Sequence, residues 1–291
     1  MAEQQTPSKP RAKRRRPTKK RWYVLMVVIG LIVGGVAGFF LNKAVSNRKA
    51  SPAPKQSATI KASSATKARE ESSATTEKAK PVSKTELAAS LGWGEVSSGN
   101  TSKKQVALTF DGAAGATSTT AFLDVLKDAD LHCTFFLAGQ FADSYPDMAK
   151  RIVAEGHELG NHSDAHPYFT KLKANQVQAQ VQGAEDKIHK LTGVSTKPYF
   201  RFPYGSRNEQ LIKQVNDLGY ISVYWTYDTQ DWQKNASAEM LHSRVMSNAS
   251  PGAIILMHCD SPHEPEALPG IIKDLEAAGY KLVTLTEVLT P

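Results

Sequence analysis

From Lys104 onward, apolar positions fall into short continuous runs separated by stretches of helical period. The runs predict strands at Val106–Phe110, Cys133–Leu137, Glu158–Asn161, Tyr199–Phe202, Ile221–Thr226, Ala253–Met257 and Lys281–Leu285. The periodic stretches predict helices at Thr119–Ala129, Pro146–Glu155, Asn175–Leu191, Glu209–Leu218, Ala238–Ser247 and Leu268–Ala278. Gly156, Gly193, Gly219 and Gly279 follow four of these helices, as expected for left-handed C-terminal caps. Regular alternation of strand and helix predicts parallel pairing with helical crossovers, because parallel neighbours need a long connection. Seven strands and six helices suit a slightly short (β/α) barrel or an open doubly wound sheet. No Gly-x-Gly-x-x-Gly follows the first strand, which counts against a dinucleotide-binding sheet.

Upstream the pattern is different. Residues 42 to about 84 are Ser, Ala, Lys, Thr and Pro with almost no large apolar side chain. Such a stretch cannot offset the entropy of ordering, so it reads as a solvated linker. Some forty residues of coil would span roughly 30–40 Å. Thr85–Val96 could add a short helix. Before the linker, Trp22–Leu41 is an uncharged apolar run of twenty residues, about 30 Å as a helix and long enough to cross a bilayer. Nine Lys/Arg and one acid in residues 1–21 give +8, the whole formal excess of the chain. Positive charge stays on the cytoplasmic side, so the expected topology is single-pass, with the N-terminus inside and the C-terminal domain outside the cell membrane. A cleaved secretory signal is the rival reading; Asn42-Lys43-Ala44-Val45-Ser46 is a poor cleavage site for it. The basic charge therefore belongs to a tail, not to a nucleic-acid-binding surface. The expected organisation is a basic tail at 1–21, a membrane anchor at 22–41, a flexible linker at 42–100 and one domain at 101–291.

The polar residues within the domain are unusual in where they fall. Asp111 ends the first predicted strand, His162 and His166 follow the third, and Arg201 and Tyr204 end the fourth. Asp228 and Asp231 follow the fifth, and His258 follows the sixth. All lie at carboxyl ends of strands, where barrel enzymes assemble their chemistry. Taken singly, each has an ordinary structural explanation: a helix cap, a satisfied histidine, a surface charge. His162 and His166, four apart, have a spacing suited to one divalent ion on a helical turn. Asp228 and Asp231 sit beside Trp232, which could wall a sugar-sized pocket. The only cysteines, Cys133 and Cys259, each lie in an apolar run and are expected to be free thiols.

The segment from Lys104 to Leu289 resembles the NodB-homology polysaccharide deacetylases, the family 4 carbohydrate esterases. The resemblance rests on Leu108-Thr109-Phe110-Asp111, Cys133 to Leu137, Gly156 to His166, Arg201-Phe202-Pro203-Tyr204-Gly205, Asp228 to Trp232 and Leu256-Met257-His258, in the family's order and spacing. It implies an α/β fold, a distorted (β/α)7 barrel. It also implies roles: Asp111 as general base toward water, His162 and His166 as ligands of a divalent metal, expected to be zinc, and the Tyr204 N–H as oxyanion donor. Arg201 would orient Asp111, and His258 would be the general acid, supported by Asp231 or, as the second choice, Asp228. Pro203, Tyr204 and Trp232 would line the substrate pocket. One position departs from the pattern. The family carries a second Asp, the third metal ligand, directly after the base; here it is Gly112. Asp164, a water or Asp111 itself could take its place at the ion.

The expected function is hydrolysis of the acetamido group of N-acetylated sugars, in peptidoglycan N-acetylglucosamine or N-acetylmuramic acid. Chitooligosaccharide deacetylation and O-acetyl ester hydrolysis are the enzymatic alternatives, and a non-catalytic glycan-binding module is the alternative of another class. The expected partners are the wall glycan and the membrane, with no nucleic acid and no obligate protein partner.

Overall fold

The computed structural model describes residues 83–291, Ala114 excepted. The basic tail, the expected membrane span Trp22–Leu41 and the linker up to residue 82 lie outside the described residues. Among those described, no helix is long and apolar enough to cross a membrane.

The centre of the fold is β2 (Gln105–Gly112). It pairs in parallel with β3 (Thr134–Leu137), β8 (Ala253–His258) and β9 (Lys281–Leu282). Beyond β3 the sheet continues through β4 (Glu158–Asn161), β5 (Tyr199–Phe200) and β6 (Ile221–Val223) to β1 (Glu95–Val96); beyond β8 it ends at β7 (Tyr227–Asp228). Every ladder is parallel. The two ends curl toward each other. Ser98 forms an antiparallel bridge to Ala253, and the Thr226 hydroxyl donates to Ser97 O at 2.7 Å while accepting from Ile254 N at 3.0 Å.

Alternation along β2 assigns its two faces. Val106, Leu108 and Phe110 belong to the large cluster shared with the surrounding helices, where Phe110 stacks on Phe122 and Phe135 with centroids 4.9 and 5.1 Å away. Ala107 belongs to a second, inner cluster with Phe136, Tyr199, Ile221, Val223 and Ile254. Thr109 and Asp111 continue that inner row toward the carboxyl end. The inner cluster is floored by α1 (Lys84–Ser90) and α9 (Leu285–Leu289), which contribute Leu87, Ala88, Leu285 and Val288. Burying each of these leucines stabilises the fold by roughly 1.5–3 kcal/mol. The Lys84 ammonium reaches Glu158 Oε1 at 3.1 Å, and Glu158 also accepts from Thr134 Oγ1 at 2.8 Å and Thr286 N at 3.1 Å.

Four expectations from the sequence need correction. Residues 84–100, placed within the flexible linker, are packed: α1 sits in the floor and β1 is an edge of the sheet. Ile221–Thr226 is not one strand. It stops at Val223 and resumes as β7, because Tyr224 N turns to Val96 O and the Tyr224 and Trp225 rings stack at 3.8 Å. Lys281–Leu285 ends early, where Thr284 caps α9 in a reciprocal box with Glu287. The last long helix, α8 (Glu264–Ala277), begins four residues before Leu268 and carries Pro265 in its first turn.

Candidate active site

The inner row of β2 ends at Asp111, whose carboxylate Oδ1 accepts from Arg201 Nη1 at 2.8 Å. Arg201 is wholly buried and held on several sides. Nη1 also donates to Thr109 Oγ1 at 2.9 Å, Nε to Val223 O at 3.3 Å, and the guanidinium lies 4.0 Å from the Phe136 ring centre. Burial alone would raise the Asp111 carboxyl, but the Arg201 charge, with His162 and His258, holds it below the usual carboxylate range. Asp111 is therefore ionised near neutrality.

His162 and His166 converge with their Nε2 atoms 3.1 Å apart. His162 Nδ1 lies 2.9 Å from Arg201 O and so carries the proton, leaving Nε2 with its lone pair toward Asp111 Oδ2 at 3.5 Å. Burial lowers both imidazoles, His166 to about 3, so both are neutral. The expected helical turn does not form. Ser163 and His166 take positive φ, 68° and 55°, and the convergence comes from this folded-back loop, held by Ser163 Oγ accepting from His166 N at 3.0 Å.

Across the mouth, His258 Nδ1 meets Asp231 Oδ1 at 2.7 Å and His258 N donates to Asp231 Oδ2 at 2.8 Å. Burial would lower this imidazole, but the hydrogen bond and charge of Asp231, with Asp111 and Asp228, raise it to about 9. The imidazole at neutral pH is thus a loaded acid. Of the two candidate supports, Asp231 is the one that touches His258; Asp228 Oδ1 instead accepts from Gln230 N at 2.8 Å. Tyr204 has φ 58°, and its N–H meets no acceptor among the described residues. Its exposed ring stacks on Tyr168 at 4.1 Å and meets His166 edge-on at 4.4 Å. Trp232 is exposed and Pro203 is buried.

The donor set admits a divalent ion only in part. Two neutral imidazoles converge as ligands do, and the Arg201 carbonyl fixes the tautomer of one. No third His, Cys, Asp or Glu completes a metal-holding group among the described residues. Asp164 is not a stand-in: its carboxylate pairs with Lys187 at 2.8 Å and packs against Gly139 and Gly183. Gly112 lies in the outward register of β2. A Cβ there would meet Leu137 Cδ2 at 2.9 Å, Phe141 Cδ2 at 3.2 Å and Cys259 Sγ at 3.3 Å. Thr109 and Tyr168 were not anticipated as site residues. Thr109 could have been found from its parity with Asp111 on the inner face; nothing in the sequence marks Tyr168.

The polysaccharide deacetylase family model matches residues 98–223. The peptidoglycan-N-acetylmuramic acid deacetylase PdaA of Bacillus subtilis is 35% identical over 193 residues, 66% of this chain and 73% of the relative. The chain belongs to the polysaccharide deacetylases. Another relative, a peptidoglycan-N-acetylglucosamine deacetylase of Bacillus cereus, is 36% identical over 192 residues, covering 65% of this chain and 69% of its own. Among solved structures, BA3943, described as a CE4 family pseudoenzyme from Bacillus anthracis, superposes with a TM-score of 0.64 at 35% identity, over 67% of this chain and 69% of that one. The family's reaction is hydrolysis of carbon–nitrogen bonds other than peptide bonds, and the free cysteines of this deacetylase fold are both buried.

Proposed function

We propose that this chain is a peptidoglycan deacetylase, with a distorted (β/α)7 barrel held outside the cell on a single N-terminal membrane anchor. The observation that carries the reading is the pairing across one mouth of an ionised carboxylate, Asp111 on Arg201, with a protonated imidazole, His258 on Asp231. An amide hydrolase needs both: a base for water and an acid for the amine. Asp111 takes a proton from water as its oxygen bonds to the acetyl carbon. The Tyr204 N–H faces the developing oxyanion. As the C–N bond breaks, the nitrogen takes the proton held by His258, leaving acetate and a free amino sugar. His162 and His166 are the residues that would hold a divalent ion, which when bound supplies polarisation of water and carbonyl.

Peptidoglycan as substrate is supported by the relatives' substrates and by the basic tail, apolar run and polar linker read from the sequence. The test is mass spectrometry of wall digests from cells with and without the protein, where deacetylated N-acetylglucosamine or N-acetylmuramic acid should disappear with it. No change in wall acetylation, with no acetate released in vitro, would overturn the proposal. A specific observation favours one second reading, a glycan-binding domain without turnover. Gly112 removes a ligand, and the similar fold of BA3943 is described as a pseudoenzyme. Acetate release by the purified protein separates the two.

A further inference from the structure

Behind the acid half of the site lies a carboxyl group that the mechanism does not use. Glu264 opens α8 and has no exposed surface. Both side-chain oxygens are enclosed away from water and neither accepts a hydrogen bond from a donor among the described residues, nor does an ion pair reach them there. Its polar neighbours are the Asp231 carboxyl, the Ser261 hydroxyl and its own backbone N–H. The Cys259 thiol and Asp260 belong to the same surroundings, and neither supplies a positive charge.

Two enclosed carboxyl groups in contact cannot both be ionised at modest cost, so one of the pair holds a proton. The geometry decides which. Asp231 already accepts twice from His258, through N and Nδ1, and faces an imidazolium. Glu264 has no such partner. The shared proton therefore belongs on Glu264, whose carboxylate acceptor among the described residues is Asp231.

We propose that Glu264 is a positioning residue: a neutral carboxylic acid that donates a hydrogen bond to Asp231 and holds that carboxylate in line with His258. The assignment rests on the deacetylase reading for its catalytic meaning, but not for its geometry. Burial, with the neighbouring Asp231 charge, raises the Glu264 carboxyl to about 11, in accord with a proton retained across the working range. The order runs from Glu264 to Asp231 to His258. The buried acid takes up one lone pair of Asp231, moderates the pull of that carboxylate on the imidazole, and fixes its rotamer. The helix N-terminus does not ionise Glu264, because the gain from the dipole is smaller than the cost of a second enclosed anion.

The test compares the full chain with Glu264→Gln and Glu264→Leu. It follows the His258 imidazole by NMR titration, assigned by its loss in His258→Gln, alongside pH profiles of acetate release. Gln is neutral and still donates, so the His258 midpoint should stay within about 0.3 of wild type. Leu fills the space without donating. There the His258 midpoint should rise, and kcat should fall about tenfold at unchanged KM, in line with the loss of an orienting partner behind a functional group. A His258 midpoint that falls by about one or more in Glu264→Gln would mean that an anion had been removed, and would overturn the assignment. So would Glu264→Leu with an unmoved midpoint and unchanged kcat. If Glu264→Leu does not fold, the Gln variant alone decides. If the wild-type chain releases no acetate, the deacetylase reading fails, and the NMR titration still decides on Glu264.

Discussion

Replacing Asp231 by Asn tests the acid half of the mechanism with a computable outcome. The substitution keeps an oxygen for the His258 N–H and removes the charge that raises the imidazole from 6.5 to about 9. Without that charge, burial, which lowers the imidazole, is opposed by Asp111 and Asp228, so the His258 midpoint should fall to about 6.5 or below. At pH 7.5 the protonated fraction would then fall from about 97% to about 9% or less, a loss of about tenfold or more from protonation alone. The assay is acetate release from an N-acetylated glycan oligomer between about pH 5 and pH 10. Wild type should hold its rate until about pH 9, whereas Asp231→Asn should lose activity above about 6.5 and recover much of it near pH 5.5. A stability term accompanies the rate. Because the folded-state imidazole titrates higher than the unfolded one, its contribution is complete below about 6.5 and disappears as pH rises through 9. The size is on the order of 3 kcal/mol. The two groups interact strongly, so the measured steps belong to the pair. A wild-type alkaline limb at 6.5, or an Asp231→Asn loss equal at every pH, would refute the reasoning.

Asp111→Asn should abolish acetate release and also lower stability by roughly 3–5 kcal/mol in urea melts, because Arg201 loses the anion that balances its buried charge. A stability within about 1 kcal/mol of wild type would show that the pair is solvated. His162→Ala should abolish zinc binding by calorimetry, whereas Gly112→Asp should not tighten it, because a side chain at this outward position is aimed at Leu137, Phe141 and Cys259 rather than at His162 and His166. Both Gly112→Asp and Gly112→Ala should lower the metal-free Tm, because the Cβ presses on the same three residues; zinc affinity that rises in Gly112→Asp would show that the strand end turns its side chain toward the imidazoles. Cys133 and Cys259 should resist alkylation in the native chain and count as two thiols once denatured without reductant. Both are enclosed, and burial pushes Cys133 up to about 12. A count of zero would contradict this.

The parts of the fold legible in the sequence were those decided by local pattern. β4 was read with its observed bounds, and helices such as Glu209–Asp217 were read to within a residue, because apolar periodicity and glycine caps are local signals. The elements missed depend on distant partners. β1 and β7 are two residues each and exist only through ladders to β6 and β8. α1 was expected as a short helix at Thr85–Val96, but its place in the floor was not legible, because Leu87 and Ala88 pack with Val283, Val288 and Leu289 from the other end of the chain. The site residues could be named because strand ends collect them and motif spacing fixes their order. Two of their contacts, Arg201 to Asp111 and Asp231 to His258, were implied by the family resemblance and are seen; residue spacing by itself did not give them. That Asp231 rather than Asp228 meets His258 depends on how the turn after β7 is bent. That Gly112 faces Leu137 depends on β2 staying extended one residue past Asp111.

Four residues that carry side chains, Ser163, His166, Tyr204 and Gln230, hold left-handed backbone in the loops around the mouth. Each such residue costs on the order of 1–2 kcal/mol relative to ordinary backbone, and Gly at the same place would relieve it. The scaffold therefore spends stability to aim the His166 ring and the Tyr204 N–H before any ligand arrives. An inhibitor shaped to the tetrahedral intermediate would find these groups already set and would forfeit little affinity to loop ordering. The same four positions are where glycine substitutions chosen for thermal stability would loosen the grip on that inhibitor, so hardiness and recognition pull in opposite directions along this rim.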